Sequence, residues 1–364
     1  MTGTTPDPDT LAAALRAGHR ATAAEIHMLV DAVLSGTVDL DAFGRWLVAL
    51  ADAGETAAEI AGVAGALRAR MLPVPHDGTT LVADTCGTGG DGSGSFNIST
   101  AAAIVVAAAG QPVAKHGNRA VSSRTGSADV LEALGVTIDA GPEAVARCLR
   151  EAGICFCLAP AHHPAMARVG PLRRSLGRPT VFNLVGPLCN PAAAAVQVIG
   201  VGRPGVREAV ADAARLLGAT RTLVVSGHVG DECRAFDEVS LFGPTDVIDV
   251  SPAGTRRHTW TPEAFGLATL PAARAAELEV ADAAESAAAI RSVLAGAAGP
   301  RRDVVVLNAA ATLWGAGRAP DLPAARQRAE RAIDSGAAAE TLARLVACSR
   351  RDAAPRATAG GAAP

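Results

Sequence analysis

Between Thr10 and Met71 the spacing of apolar and polar positions is helical throughout, with Gly36 and Gly54 standing where the runs stop. "TAAE" at 56–59 reads as a capping box that opens a helix ending before Pro73. From Leu81 the rhythm changes to short β-rich runs alternating with helical ones. "TLVADT", "PVAKHG", "ICFCLA", "VQVIGVG", "RTLVVSG" and "RDVVVLN" are predicted strands, with helices such as "PEAVARCLREAG" and "VREAVADAARLLG" between them. Such alternation implies a mostly parallel sheet with crossover helices. One stretch, 164–191, is helical or loop-like with no strand. The expected architecture is α/β: a small all-helical domain plus a larger α/β domain with a mostly parallel central sheet flanked by helices. The expected bounds are a disordered start (1–9), a helical domain (10–77, joined by about 164–191), an α/β domain (78–163 and 192–348) and a disordered tail (349–364).

Composition narrows this picture. Aromatic residues are 3% of the chain and tyrosine is absent, so the core must be built from Ala, Val, Leu and Ile. A formal charge of −3 gives no bulk nucleic-acid-binding signature. The seven cysteines are odd in number, and "CFC" at 155–157 alternates like a strand rather than spacing a zinc pair. Reduced structural thiols in a cytoplasmic protein are expected. The most apolar run, "AAAIVVAAAG", is half the roughly 20 residues of a membrane span. "MTGTTPDPDT" lacks the basic and apolar segments of a signal peptide. Lysine is nearly absent: one, Lys115, stands among 33 basic residues.

Four stretches carry chemistry. "DTCGTGGDGSGSFNIST", Asp84 to Thr100, follows a predicted strand and leads into a helix at "NIST". Its five glycines let backbone N–H groups turn toward an anion, and the helix start adds partial positive charge with the Ser99 and Thr100 hydroxyls. The spelling is neither a P-loop nor a dinucleotide fingerprint, so a phosphate or diphosphate cradle is expected. "KHGNR" leaves the next strand and "SSRTGS" enters a helix, placing Lys115, His116, Asn118 and hydroxyls at a second strand end. "HHPAMARVGPLRRSLGRPTVFNLVGPLCNP", 162–191, carries Arg173 and Arg174, either of which suits a carboxylate or a phosphate. "GDECRAFDEVS" offers two acidic pairs, Asp231-Glu232 and Asp237-Glu238; carboxylates beside a diphosphate suggest Mg²⁺, and spacing leaves the choice of pair open.

Taken together, "GTGGD…FNIST", "KHGNRAVSS", "HPAM…RRSLG…PTVFNLVGPLCNP" and "FDEVS" resemble the anthranilate phosphoribosyltransferase family in order and spacing, over roughly residues 10–345. The resemblance implies transfer of a phosphoribosyl group from 5-phosphoribosyl 1-diphosphate to the amino nitrogen of anthranilate, with Mg²⁺, on the way to tryptophan. It also implies a cytoplasmic homodimer whose substrates sit between the two domains, with neither nucleic acid nor membrane as partner. Matched residue by residue, it places the phosphoribosyl diphosphate on Gly87, Gly90, Asp91, Ser95, Asn97, Ile98, Ser99, Thr100, Lys115 and Ser127. Anthranilate falls to Gly87, Asn118 and Arg173, with His116, His163 and Pro187 lining the approach, and the metal to Ser99, Asp237 and Glu238. The pair before "VS" is the one that matches; Asp231-Glu232 falls in a divergent loop. Positioning by Arg173 and Asn118 is expected, with no indispensable general base. The chain departs from the family pattern at the Arg-Thr of "SSRTG" and the cysteine-rich "CFCLAPAHHP". A pyrimidine nucleoside phosphorylase and a non-enzymatic nucleic-acid binder of the same fold are the rival readings.

Overall fold

The computed structural model describes residues 4–78, 80–120, 124–230 and 232–351. Four helices come first: α1 (Pro8–Arg16), α2 (Ala23–Ser35), α3 (Leu40–Ala53) and α4 (Ala57–Arg70). Each has a side-chain N-cap, and α2 and α4 carry full capping boxes, Thr22 with Glu25 and Thr56 with Glu59. Helix α1 begins inside the stretch expected to be disordered. Asp7 accepts from Thr10 N–H at 2.9 Å and Pro8 stands in the first turn, while Arg45 clasps Asp9 through two 2.7 Å hydrogen bonds. Of the expected disordered ends, residues 1–3 and 352–364 lie outside the described residues.

The α/β portion runs β1 (Ala83–Gly87), α5 (Ile98–Ala108), β2 (Val113–Gly117), α6 (Ser127–Leu134), α7 (Pro142–Ala152), β3 (Ile154–Leu158). A strandless passage holds α8 (Ala159–His162), α9 (Gly170–Leu176) and α10 (Phe182–Val185). Then come β4 (Val196–Gly200), α11 (Arg207–Leu216), β5 (Arg221–Val229), β6 (Glu232–Phe236), β7 (Thr245–Ser251) and β8 (Gly254–Trp260). Four helices finish the chain: α12 (Ala283–Leu294), α13 (Pro300–Gly315), α14 (Leu322–Asp334) and α15 (Ala337–Arg350). The sheet order is β3-β2-β1-β4-β5-β7-β8, with β6 paired beside β5. The first five strands are parallel; β6, β7 and β8 join antiparallel. The order reverses at β1, whose two neighbours lead away in opposite directions, and a ligand crevice opens at such a point beyond the strands' carboxyl ends.

Two differences from the sequence reading have physical causes. "RDVVVLN" is not a strand but part of α13, where every residue from Val304 to Leu313 is buried. A short apolar run buried on all sides looks the same in either conformation. Here Pro300 in the first turn and the continuing Ala-rich run decide for helix. The hairpin β7–β8 was not expected, although "TDVIDVS" does alternate.

Alternation along β4, β5 and β7 divides the core. Val196, Val198, Leu223, Val225 and Val247 face the layer that includes α5, α12, α13, α14 and α15. Ile199, Val201, Val224, Ile248 and Val250 face the other cluster, shared with α11, the N-terminal helices and residues of the strandless passage. Val169, Val181, Phe182 and Leu184 from that passage pack with Phe43, Trp46 and Leu47 of α3. Gly44 is the contact point, since a Cβ there would lie 3.0 Å from Leu172 Cδ1.

Candidate active site

Strands β1 and β2 are adjacent and parallel, so the segments leaving them, from 88 and from 118, start on the same side of the sheet. Between them sits Lys115, 2% exposed, its Nζ donating to Thr85 O at 2.7 Å and to Ser99 Oγ at 3.2 Å. Ser99 N–H in turn donates to Glu238 Oε1 at 3.1 Å. Gly89 N–H donates to Asp237 Oδ2 at 3.0 Å, and Asp237 N–H reaches Asp91 Oδ2 at 3.5 Å. The glycine loop, the lone lysine and the second acidic pair are therefore one connected group.

Glycines make that connection sterically feasible. A Cβ on Gly87, at the end of β1, would overlap the Asp237 carboxylate; one on Gly200, at the end of β4, would overlap the Asp237 carbonyl. Gly227 of β5 stands against Glu238 O in the same manner, at 2.5 Å from where its Cβ would be. Two neighbouring parallel strands thus end in glycine, and the third carries one two residues before its end, where the acidic turn crosses them. Asp231, of the other acidic pair, lies outside the described residues.

The electrostatics of this group fit a cation. Asp237 and Glu238 are half-buried by exposed area, yet protein packs closely around both. Desolvation, reinforced by Asp91, pushes Asp237 up to about 8; desolvation, reinforced by Asp237, holds Glu238 well above the carboxylate range. Such groups ionise only with compensating positive charge. Among the described residues no three His, Cys, Asp or Glu side chains converge closely enough to hold a metal by themselves. That donor set suits Mg²⁺, which takes one or two carboxylates and completes its shell from phosphate and water.

Other expected site residues divide into those facing the crevice and those facing away. Gly90 has φ +79° with open space beyond it, and Ser95 Oγ accepts from Ser93 Oγ at 3.1 Å. Asn97 stands at the start of α5. Ile98 is 1% exposed with its side chain in the core, so only its backbone remains for a ligand. Thr100 is equally buried, and its Oγ1 has no hydrogen-bond partner. Ser127 Oγ lies over Gly117, where a Cβ would overlap it, and approaches the Asn118 carbonyl at 3.4 Å.

The strandless passage supplies a second wall. His116 and His163 have ring centroids 5.3 Å apart. His116 Nδ1 donates to Gly186 O and His163 Nε2 to Cys189 O, each at 3.0 Å. Burial pushes His116 down to about 3 and lowers His163, so both rings are neutral at pH 7. His116 Nε2 and His163 Nδ1 are consequently buried acceptors without partners. Pro187 is buried between Gly186 and Cys189, whose carbonyls the two histidines use, and its own carbonyl accepts from Gln197 Nε2 at 2.6 Å. Arg173, on α9, lies over Phe182 with its guanidinium carbon 5.3 Å from the ring centroid. It has no carboxylate partner among the described residues, whereas its neighbour Arg174 is exposed. Helix α4 reaches this wall through Arg68, which donates to Leu188 O at 2.6 Å.

Sequence reasoning missed Asp84 and Asn190. Asp84, wholly buried on β1, accepts from Asn190 Nδ2 at 2.8 Å and His116 N–H at 3.2 Å. Asn190 also donates to Ala114 O at 2.7 Å, so the "CNP" turn is pinned to both central strands. An acidic residue amid the apolar start of "LVADTCG" was the available signal.

Comparison with known proteins agrees with this layout. Residues 10–71 match the helical bundle domain of a glycosyl transferase family, and residues 79–339 its a/b domain. The chain is similar to the anthranilate phosphoribosyltransferase of Methylobacterium nodulans, 48% identical over 91% of this chain and 96% of that protein. Among solved structures it resembles the anthranilate phosphoribosyltransferase of Thermus thermophilus, with TM-score 0.84 and 41% identity over 93% of this chain and 99% of that one. It also resembles the Saccharomyces cerevisiae enzyme in complex with PRPP and Mg, with TM-score 0.82 and 26% identity over 93% and 98% of the two chains.

Proposed function

The chain belongs to the anthranilate phosphoribosyltransferase family, and from that premise we propose how this molecule performs the transfer. The phosphoribosyl group of 5-phosphoribosyl 1-diphosphate passes to the amino nitrogen of anthranilate, yielding N-(5-phosphoribosyl)anthranilate and diphosphate. The observation that carries this reading is the joining of the glycine loop, Lys115 and the Asp237–Glu238 turn at the switch point of the sheet.

Loss of diphosphate from the anomeric carbon builds negative charge on the leaving group. Thr88 N–H is taken by Gly200 O and Gly89 N–H by Asp237 Oδ2, so the Gly90 and Asp91 N–H groups and the Lys115 ammonium are the donors we place where that charge grows, set in advance of the reaction. Asp237 and Glu238, with Ser99, would hold Mg²⁺, which when bound supplies further neutralisation of the diphosphate. The half-buried Arg173 takes the carboxylate of anthranilate, and Asn118 borders the same space. His116 and His163, both neutral, line the approach to that space. Holding both substrates makes the step effectively unimolecular. The amine is already a nucleophile, and its proton leaves after attack.

We read 10–77 with 164–191 as one helical unit above the α/β unit, and the working enzyme as a cytoplasmic homodimer of tryptophan biosynthesis. Among the described residues no helix is long and apolar enough to cross a membrane. The matched relatives carry the transferase name, which favours it over the phosphorylase and nucleic-acid readings. The test is to mix the protein with anthranilate, phosphoribosyl diphosphate and Mg²⁺ and follow anthranilate fluorescence. Loss that requires all three components supports the proposal; no loss under saturating substrates refutes it.

A further inference from the structure

Asn97 occupies the N-cap position of α5, where an asparagine carbonyl ordinarily accepts from the first-turn N–H groups. Here its side chain makes no such cap bond. Its Oδ1 instead accepts two hydroxyls, from Thr125 Oγ1 at 2.7 Å and from Ser286 Oγ at 2.8 Å. Ser286 is wholly buried on α12, 189 positions away in sequence. Its oxygen already accepts the Asn97 backbone N–H at 3.1 Å, which leaves its hydrogen to donate and selects oxygen over nitrogen on the facing amide. The Asn97 NH₂ group is left without a partner among the described residues, on a side chain that is partly exposed at the glycine loop.

Helix α12 reaches this point through the segment before it. Phe96 N–H donates to Leu278 O at 2.9 Å and Val280 N–H donates to Gly94 O at 3.0 Å, a short antiparallel pairing of 94–96 with 278–280. Arg124, next to Thr125, donates to Val280 O at 3.0 Å. The glycine loop, the loop after β2 and the start of α12 are thus tied together around one carboxamide.

We propose that Ser286, assisted by Thr125, is a positioning residue for phosphoribosyl diphosphate: it holds the Asn97 carboxamide with its oxygen inward and its two N–H donors toward the phosphate cradle. Without the Ser286 hydroxyl only Thr125 holds the amide oxygen inward, the preference for that orientation weakens, and the flipped setting presents an acceptor to an anion. This rests on the function proposed above.

The experiment is calorimetric titration with Mg²⁺ and phosphoribosyl diphosphate, paired with steady-state kinetics. Ser286→Ala is expected to weaken phosphoribosyl diphosphate binding roughly five- to tenfold, the effect of one lost hydrogen bond, with the KM for anthranilate within about twofold of wild type. Ser286→Cys keeps the branching of the side chain with a somewhat larger atom, donates poorly, and is expected to follow the alanine variant. Thr125→Val, an isosteric change, is expected to shift binding in the same direction. In an Asn97→Ala background, adding Ser286→Ala is expected to cost less than about twofold more, because the group it positions is gone. Full additivity in that double variant, wild-type binding by Ser286→Cys, or an equal rise in both KM values would overturn the proposal. A wild-type protein that fails to bind phosphoribosyl diphosphate overturns the function itself, and this inference with it.

Discussion

Replacing the lone lysine by arginine, the residue this chain uses everywhere else, is the most demanding test of the site. In Lys115→Arg the positive charge is kept and only shape and donor geometry change. The ammonium fits a site 2% exposed and makes bonds of 2.7 and 3.2 Å to Thr85 O and Ser99 Oγ. A guanidinium is a wider planar fork with five N–H donors, and no further acceptor bonded to Lys115 is present to receive them. Overpacking a filled interior costs about 1–3 kcal/mol, and each buried donor left without a partner costs about 1–3 kcal/mol more. If half of that burden falls on the ligand-bound state, phosphoribosyl diphosphate affinity drops roughly tenfold to a hundredfold. Calorimetry would read the affinity and urea denaturation the stability. Lys115→Met serves as the control that removes the charge without widening the side chain. Wild-type affinity together with wild-type stability in Lys115→Arg would refute the argument and make the single lysine an accident of composition.

Three further outcomes follow from the geometry. Arg173→Ala is expected to raise the KM for anthranilate about 10- to 100-fold, the loss of a charge-assisted contact, and to leave that for phosphoribosyl diphosphate within about twofold; equal increases in initial-rate kinetics would remove Arg173 from the acceptor site. Gly200→Ala is expected to destabilise by about 3 kcal/mol or more, because its Cβ meets the backbone carbonyl of Asp237 rather than a movable side chain, whereas Gly205→Ala, with nothing within 4 Å, stays within about 1 kcal/mol; denaturant midpoints compare the two. His116 is depressed to about 3 by burial, and His162 and His163 are lowered for the same reason. The unfolded chain therefore binds protons that the native one does not, so their contribution is complete above about pH 6.5 and is lost as pH falls toward about 3. At pH 5.5 His116 alone is expected to cost about 1 kcal/mol, and a His116→Gln variant with an equally steep loss between pH 7.5 and 5.5 would contradict this.

Local chemistry was readable along the chain because it is satisfied by neighbours in sequence. The capping pair Thr56–Glu59 closes within one turn, and both of its reciprocal bonds are present. Five of the six expected strands are strands, since alternation reflects a sheet with two covered faces. The glycine loop, the basic loop and the acidic pair each occur as contiguous motifs with a chemical logic of their own. Failure came where both conformations bury the same side chains, as in "RDVVVLN", which α13 places against β1, β4 and β5 as a helix.

What tertiary structure alone decided is which distant groups meet. Asp237 touches the loop after β1 because β4 lies beside β1 and ends in Gly200, leaving a gap the acidic turn can cross. The residues around Asp237 do not encode that strand order. Ser286 gives no signal in its own helix beyond being a small polar residue, yet it faces Asn97 once 278–280 pair with 94–96. Side-chain type and local spacing determine what a residue is able to do. The order of the strands determines which of those abilities are brought within 3 Å of one another.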